Sequence, residues 1–382
     1  MEVTDFQADA PGKIIRDPNG HWTFIPDPLP PRLEWTSSLV NDVSQAERAL
    51  GRLSGLGYRF PNPERLVRLF LRREAELSSR IENTHAKVRT QLLFEHLPEV
   101  ERDTPDVREV RNNFEALEYG LHSVQHRPLS LGLIKEMHKI LLRGVRGQEK
   151  TPGQFRNIPV HIGRNNRIEE ARFVPPPAHA VEPCMRQLEQ YIRHPDGLPP
   201  IVRAAAVHYQ FEAIHPFADG NGRIGRVLIL LILCTENTLL LPLLNPSAPL
   251  ERSRREYYDL LLEVSRRGNW GQWIAFFARG VSEEATASIE RIERLEQLRE
   301  QYQSHVRTRR ASALLPRLVD QLFVDPTLTL GSVMKLLKIK APSAQKLIDK
   351  LVQAGIVQEV TGKQRNRVYL AQQIIEVLGD TP

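Results

Sequence analysis

His215-Pro216-Phe217-Ala218-Asp219-Gly220-Asn221-Gly222-Arg223-Ile224-Gly225-Arg226 is the stretch around which the chain is organised. These twelve residues bring together a base, a carboxylate, two glycines around an amide and two arginines. The apolar run Val227 to Leu233 follows at once and predicts a buried helix. Gly220 to Gly222 then form a turn that opens this helix, with backbone N–H groups pointing outward. A glycine nest at a helix N-terminus is an anion site, because the dipole favours negative charge and glycine lets a phosphate approach the backbone. Arg223 and Arg226, one turn apart, can add bidentate contacts to phosphate oxygens. Asp219 is placed to hold a divalent cation that bridges such oxygens. His215 is the one group here whose ordinary pKa suits proton abstraction near neutral pH. The residues alone imply an anion, a metal ion and a base.

The stretch resembles the signature of the Fic family, His-x-Phe-x-Asp/Glu-Gly-Asn-Gly-Arg-x-x-Arg, and every specified position matches. The resemblance implies transfer of AMP from ATP to a Ser, Thr or Tyr hydroxyl of a protein, with His215 as the base. It implies ATP contacts along Gly220, Asn221, Gly222, Arg223, Ile224, Gly225 and Arg226, and Mg²⁺ or Mn²⁺ held by Asp219. Upstream, Ser78-Ser79-Arg80-Ile81-Glu82-Asn83-Thr84 resembles the inhibitory motif of Fic proteins, Ser/Thr-x-x-x-Glu-Gly/Asn. Ser78, Glu82 and Asn83 occupy its specified positions, and Ser78 and Glu82, four apart, share a helical face. The implied mechanism is a Glu82 carboxylate paired with Arg226, which keeps that arginine from the γ-phosphate and makes Glu82 part of the ATP site.

Two further stretches bear on a site. Pro159-Val160-His161-Ile162-Gly163 and Phe173-Val174-Pro175-Pro176-Pro177 are short β-type runs around the polar tip Arg164-Asn165-Asn166-Arg167, and predict a hairpin. This is similar to the Fic flap, which implies that Val160 to Gly163 hold the target's extended segment by strand pairing. Glu256-Tyr257-Tyr258-Asp259 opens a helix, and one of its tyrosines, taken as Tyr258, is a candidate to pack on adenine. His208, two turns before His215, is expected in the core.

The chain has 382 residues, 41% apolar and 26% charged, an ordinary soluble composition with room for two or three domains. Two cysteines, Cys184 and Cys234, are too few for a disulfide framework or a zinc site. The longest apolar run, Val227 to Leu233, is far shorter than a membrane span, and no charged-then-apolar leader opens the chain. A cytoplasmic protein without a membrane partner is expected. The net charge is +6, and Gly331 to Leu370 alone holds eight Lys/Arg against two Asp/Glu. Any nucleic-acid footprint therefore belongs to the tail.

A mainly α protein follows, with a Fic-type helical core, a short hairpin flap and a C-terminal winged helix–turn–helix. Residues 1 to about 35 are proline-rich and read as an extended surface strap. Helices are expected over Leu39 to Leu53 and from Glu64 to about Arg80, with Gly57 and Pro61-Asn62-Pro63 between them. An N-terminal helical region spans 1–104, a catalytic core 105–282, a linker helix 283–311 and the winged domain 312–382. The linker, apolar at Ile289, Ile292, Leu295, Leu298, Tyr302 and Val306, could dock on the core, join two domains or pair with a second copy as a homodimer.

In the tail, Leu330 to Leu337 and Pro342 to Ala354 form the helix pair. Ile356 to Val360 and Arg367 to Leu370 form the wing. Lys346, Lys350, Lys363 and Arg365 suit contacts to DNA phosphates. The resemblance also admits phosphoryl transfer or AMP removal on the same fold; the first ranks lower, since phosphoryl-transferring relatives are expected to replace part of the Gly-Asn-Gly pattern, which is intact here. The alternative from another class is a DNA-binding regulator whose Fic portion senses nucleotide.

Overall fold

Residues 200–214 and 221–235 form two helices buried along nearly their whole length. Nearly every position from Ile201 to Ile214 and from Arg223 to Leu233 is shielded, polar ones included. A helix that is apolar all round needs neighbours on every side, and the other helices supply them. The computed structural model describes residues 1–56, 64–96, 104–163, 167–307 and 313–379. Gly57, Pro61-Asn62-Pro63, the hairpin tip Arg164-Asn165-Asn166 and the far end of the linker helix at 308–311 lie outside the described residues.

The first residues are not a plain strap. Strands β1 (Gly12–Arg16) and β2 (Trp22–Pro26) pair antiparallel, from Gly12 opposite Pro26 to Arg16 opposite Trp22. Proline removes only its own N–H from a ladder: Pro18 falls in the turn Asp17-Pro18-Asn19-Gly20, and Pro26 is the last residue of β2. Asp17 Oδ1 accepts the Asn19 and His21 N–H groups, and Gly20 takes a φ of 86°. Phe24 is fully buried, and its N–H donates to the Val174 carbonyl at 2.9 Å. From Asp27 to Thr36 the chain has neither helix nor strand, as the prolines dictate.

Helix α1 (Ser37–Leu56) sends Leu39, Val43, Ala46, Leu50 and Leu53 to one side. Next come α2 (Glu64–Ile81), α3 (Val88–Phe94) and α4 (Pro105–Ser123), the last opened by Pro105 and the Thr104 hydroxyl. Ser130 caps α5 (Leu131–Leu141), and α6 (Ala178–Arg193) follows. The buried pair is α7 (Pro200–Ile214) and α8 (Asn221–Thr235). Helices α9 (Ser247–Arg252) and α10 (Arg254–Arg267) lead to Gly268, whose φ of 68° ends α10.

The boundary set between the core and the linker helix, at 282/283, falls inside one helix. Helix α11 (Trp270–Val306) runs unbroken for 37 residues, because nothing between Val281 and Glu283 interrupts it. Its first half buries Trp273, Ile274 and Phe277 in the core, and its second half carries the tail. There Arg299 Nε donates to Asp320 Oδ1 at 2.8 Å, and the Tyr302 and Phe323 rings lie 6.1 Å apart.

The tail contains α12 (Leu314–Leu322), β3 (Thr327–Thr329), α13 (Leu330–Leu337) and α14 (Ala341–Gln353). Strands β4 (Gln358–Glu359) and β5 (Val368–Leu370) and helix α15 (Gln372–Val377) complete it. The strands run antiparallel in the order β3-β5-β4. The helix pair lies where the spacing put it. The wing strands are shorter than expected, and β3, α12 and α15 are additions. No helix among the described residues is long and apolar enough to cross a membrane.

Candidate active site

Helix α7 ends because His215 leaves the helical region. Its φ of 50° and ψ of 59° put a non-glycine residue in the left-handed region, which the surroundings must enforce. Arg156 does so. Buried, it donates from Nε to the His215 carbonyl at 2.8 Å, and from Nη2 to the carbonyls of Pro176 at 2.6 Å and Ile214 at 3.3 Å. One guanidinium thus ties the end of α7 to the chain entering α6.

The loop after His215 is held by two more side chains. Asn221 accepts the Phe217 N–H at Oδ1 and donates from Nδ2 to the Phe217 carbonyl, both at 2.8 Å. His138 of α5 lies flat on the Phe217 ring, with centroids 3.7 Å apart. Its Nδ1 accepts the Gly153 N–H at 2.8 Å, so Nε2 carries the proton and donates to the Asp219 carbonyl at 2.9 Å. Burial pushes His138 down to about 4, in keeping with that neutral form. Gly220, with φ of 79°, then turns the chain into α8.

Both arginines of α8 are buried and engaged. Arg226 Nε donates to Ser78 Oγ at 2.9 Å, and Nη2 donates to the Ser78 carbonyl at 2.9 Å and to Glu82 Oε1 at 2.8 Å. The carboxylate reaches it by crossing Gly222, where a Cβ would stand 2.4 Å from Glu82 Oε1. Asn83 follows with φ of 62°, the left-handed turn that lets α2 stop one residue before Glu82. Its Oδ1 accepts from Arg254 Nη1 at 2.7 Å. Arg223 faces Glu109 Oε2 at 3.4 Å and Asp219 Oδ1 at 3.7 Å.

His215, Gly222, Arg226, Glu82 and Tyr258 line one cavity of about 1140 Å³, bordered on another side by His161, Ile162 and Gly163. Not all of the expected ligand set faces it. Ile224 is fully buried in the core, and the Asn221 side chain is spent on Phe217. Gly225 is covered by Glu212, whose Oε1 would lie 2.3 Å from a Cβ there. Tyr257 turns inward, its hydroxyl 2.9 Å from His208 Nε2 in the core, while Tyr258 lines the cavity. The expected flap hairpin reduces to one antiparallel bridge, Ile162 with Phe173, followed from the tip side by a short turn of helix at Ile168–Glu170. Among the described residues, Ile168-Glu169-Glu170 coils instead of continuing the alternation. Val160 precedes the bridge and is half-buried.

Sequence reasoning missed Arg156, His138, Glu109 and Glu212. Glu212 sits one turn before His215 on α7 and also lines the cavity, which its spacing of three from His215 could have signalled. Burial raises its carboxyl to about 8. Burial, then the nearby Arg156, lowers His215 to about 4, so the imidazole is neutral and able to accept a proton at physiological pH. Its Nδ1 has no hydrogen-bond partner among the described residues. Burial alone would raise Glu82, but Arg226, then Arg223 and Arg254, hold it below the usual carboxylate range.

No group of three or more His, Cys, Asp or Glu able to hold a metal ion occurs among the described residues. Asp219 alone still fits Mg²⁺, which needs only one or two carboxylates when phosphate oxygens and water complete its shell. Oδ1 accepts the Gly220 N–H at 2.7 Å, and Lys150 Nζ approaches Oδ2 no closer than 4.0 Å.

Residues 128–233 match the model of the Fic/DOC family, and residues 40–122 that of the Fic/DOC family N-terminal region. Protein adenylyltransferase Fic of Drosophila virilis is 31% identical over 157 residues, which is 41% of this chain and 29% of that protein. Protein adenylyltransferase fic-1 of Caenorhabditis elegans is 31% identical over 179 residues, 46% of this chain and 31% of the relative. The matched stretch thus spans less than a third of each relative's length. A crystal structure of a Fic family protein from Desulfovibrio desulfuricans G20 superposes with TM-score 0.58 at 21% identity, covering 90% of this chain and 98% of that one. Fic-1 of C. elegans superposes with TM-score 0.51 at 23% identity, covering 68% and 74%. Both likenesses concern the fold.

Proposed function

We propose that this chain, which belongs to the Fic/DOC family, transfers AMP from ATP to a protein hydroxyl and is restrained by its own Glu82. One observation carries this: the base His215, the nest residue Gly222, Arg226 and the carboxylate on Arg226 line the same cavity. The names of the relatives, protein adenylyltransferases, support it.

Neutral His215 takes the proton from a Ser, Thr or Tyr hydroxyl of the target. The oxygen attacks the α-phosphorus of ATP, the bond from that phosphorus to the bridging oxygen breaks, and pyrophosphate leaves. Backbone N–H groups at the start of α8 receive the charge that develops on the phosphate oxygens. Asp219 would hold Mg²⁺ or Mn²⁺, which supplies charge neutralisation between the phosphates. Tyr258 packs on the base, and the run Val160 to Gly163 receives the target segment as an added strand. While Glu82 occupies Arg226, the guanidinium fork is withheld from the γ-phosphate. ATP labelled on the α-phosphate should mark protein in the presence of the Glu82→Gly chain, and ATP labelled on the γ-phosphate should not. Label arriving from the γ-phosphate alone would make this a kinase-like enzyme instead.

For the tail we read a winged helix–turn–helix that binds duplex DNA. Support comes from α13 and α14 joined by a three-residue turn, with Pro342 in the first turn of α14 and strands β4 and β5 behind. Lys346, Lys350 and Arg365 are exposed and Lys363 partly so, as phosphate contacts require.

A further inference from the structure

The restraining carboxylate does not stand alone at the end of α2. Glu82 N–H and Thr84 N–H both donate to the Ser79 carbonyl, at 2.9 and 3.1 Å. Thr84 Oγ1 donates to Glu109 Oε2 at 2.9 Å, and the His85 N–H to Asp106 Oδ2 at 3.0 Å. Val88, only six residues after Glu82, starts α3, and its N–H returns to Glu76 Oε2 on α2 at 2.8 Å. The run from Ser79 to Val88 is thus tied to α2 through the Ser79 carbonyl and Glu76, and to α4 through Thr84 and His85. A load on α3 reaches Glu82 through this short run.

The tail holds it at three places. Val88 and Leu92 of α3 are buried with Leu370 and Ile375 of the tail in an apolar cluster separate from the main core, and Val360 packs on it. His96 Nε2 lies 2.7 Å from Thr327 Oγ1. That hydroxyl donates to Asp325 Oδ1 at 2.6 Å, so the histidine is the donor in the first contact. On α2 itself, Arg73 Nη1 donates to the Leu378 carbonyl just beyond α15. Two residues from α3 and two from the tail make up the buried part of this cluster, so neither side can bury its share without the other.

We propose that residues 313–379 clamp the α2–α3 segment, and that release of this seam frees Glu82 from Arg226. As a means of regulating transfer, this rests on the reading of Glu82 as the inhibitor. A small seam is suited to such a task, because segments with few buried apolar contacts open at lower cost than the core. Any partner that binds the tail better when the seam is open then raises transfer, and by linkage ATP in its productive pose favours the open seam. The coupling has a physical carrier in the hydrogen-bonded run from Ser79 to Val88, rather than mere proximity.

Hydrogen exchange on the full chain tests this, with Ile375→Ala on the tail side of the seam and Thr327→Ala as the milder variant that keeps the apolar cluster. In Ile375→Ala the amides of Glu82 and Thr84 should exchange at least about tenfold faster than in the parent, while those of α8 stay unchanged. Thr327→Ala should shift the same amides in the same direction by less. Transfer of AMP should rise in both, with no further gain once Glu82→Gly is added. If the amides of Glu82 and Thr84 exchange at the parent rate in both variants, the clamp is wrong, whatever the transfer assay reports. If they speed up but neither the variants nor Glu82→Gly increases transfer, the inhibitory role of Glu82 fails and the mechanical coupling stands.

Discussion

Glu82 Oε1 and Arg226 Nη2 meet at 2.8 Å across 144 residues of sequence, over a glycine that leaves no room for a side chain. The contact joins the end of α2 to the first turns of α8, where Gly222 and Arg226 line the cavity that holds His215. Arg226 is buried, with Ser78 as its other partner. Each consequence below follows from these placements.

Replacing His215 with alanine should lower AMP transfer by roughly 10²–10⁴-fold, the usual worth of a positioned base. ATP affinity should hold, since the nest, Arg226 and Asp219 remain. Transfer at the parent rate would remove His215 from its role.

Acid should not relieve the restraint. His215 titrates at about 4 and is neutral above that value, while Glu82 is held below the usual carboxylate range by Arg226, Arg223 and Arg254 against its burial. As pH falls, the base is protonated, while Arg226 keeps the Glu82 carboxylate charged through the range where a free carboxylate takes up its proton. Glu82→Gly should therefore keep a flat kcat/KM from about pH 6 to 8 and lose it only near pH 4 or below, because the Glu82 charge is among those that raise His215. The parent should stay low throughout. A parent whose transfer peaks near pH 5 would contradict this assignment.

Much of this site could be read from the sequence because its parts are adjacent: the nest, both arginines, Asp219 and His215 fall within one turn and one helix entry. Arg156 and His138 escaped because their partners are backbone carbonyls and amides, which no spacing rule marks. Glu109 escaped because its pairing with Arg223 crosses 114 residues. Helix α8 is legible from its apolar run and α1 from its apolar periodicity. The hairpin of β1 and β2 is masked by the prolines around it. The resemblance implies an ATP contact at Asn221, whose side-chain amide is spent on Phe217.

That last placement makes its own forecast. Asn221→Ala strands the buried N–H and carbonyl of Phe217, at a cost of roughly 1–3 kcal/mol in unfolding free energy. Transfer should fall too, although the side chain does not line the cavity. A chemical denaturation midpoint equal to the parent's would show that the clamp on the loop is dispensable.

In the tail, if Lys346, Lys350, Lys363 and Arg365 contact phosphates, DNA affinity of the full chain should fall steeply with salt. Each contact contributes about −0.9 to the log–log slope, so the charge-neutral fourfold variant should flatten it by about three to four. A slope that does not change, or no salt-sensitive binding at all, would leave the tail with the clamping role alone.

The central claim is that Glu82 withholds Arg226 from ATP, and incorporation of α-labelled AMP into protein by four chains measures it: parent, Glu82→Gly, Arg226→Ala and the double variant. A phosphate chain turned out of line can cost about 10²-fold without loss of affinity. Glu82→Gly should accordingly exceed the parent by about that factor, while the double variant falls back to the level of Arg226→Ala. Equal incorporation by the parent and Glu82→Gly would contradict the account, and so would a gain that survives the loss of Arg226.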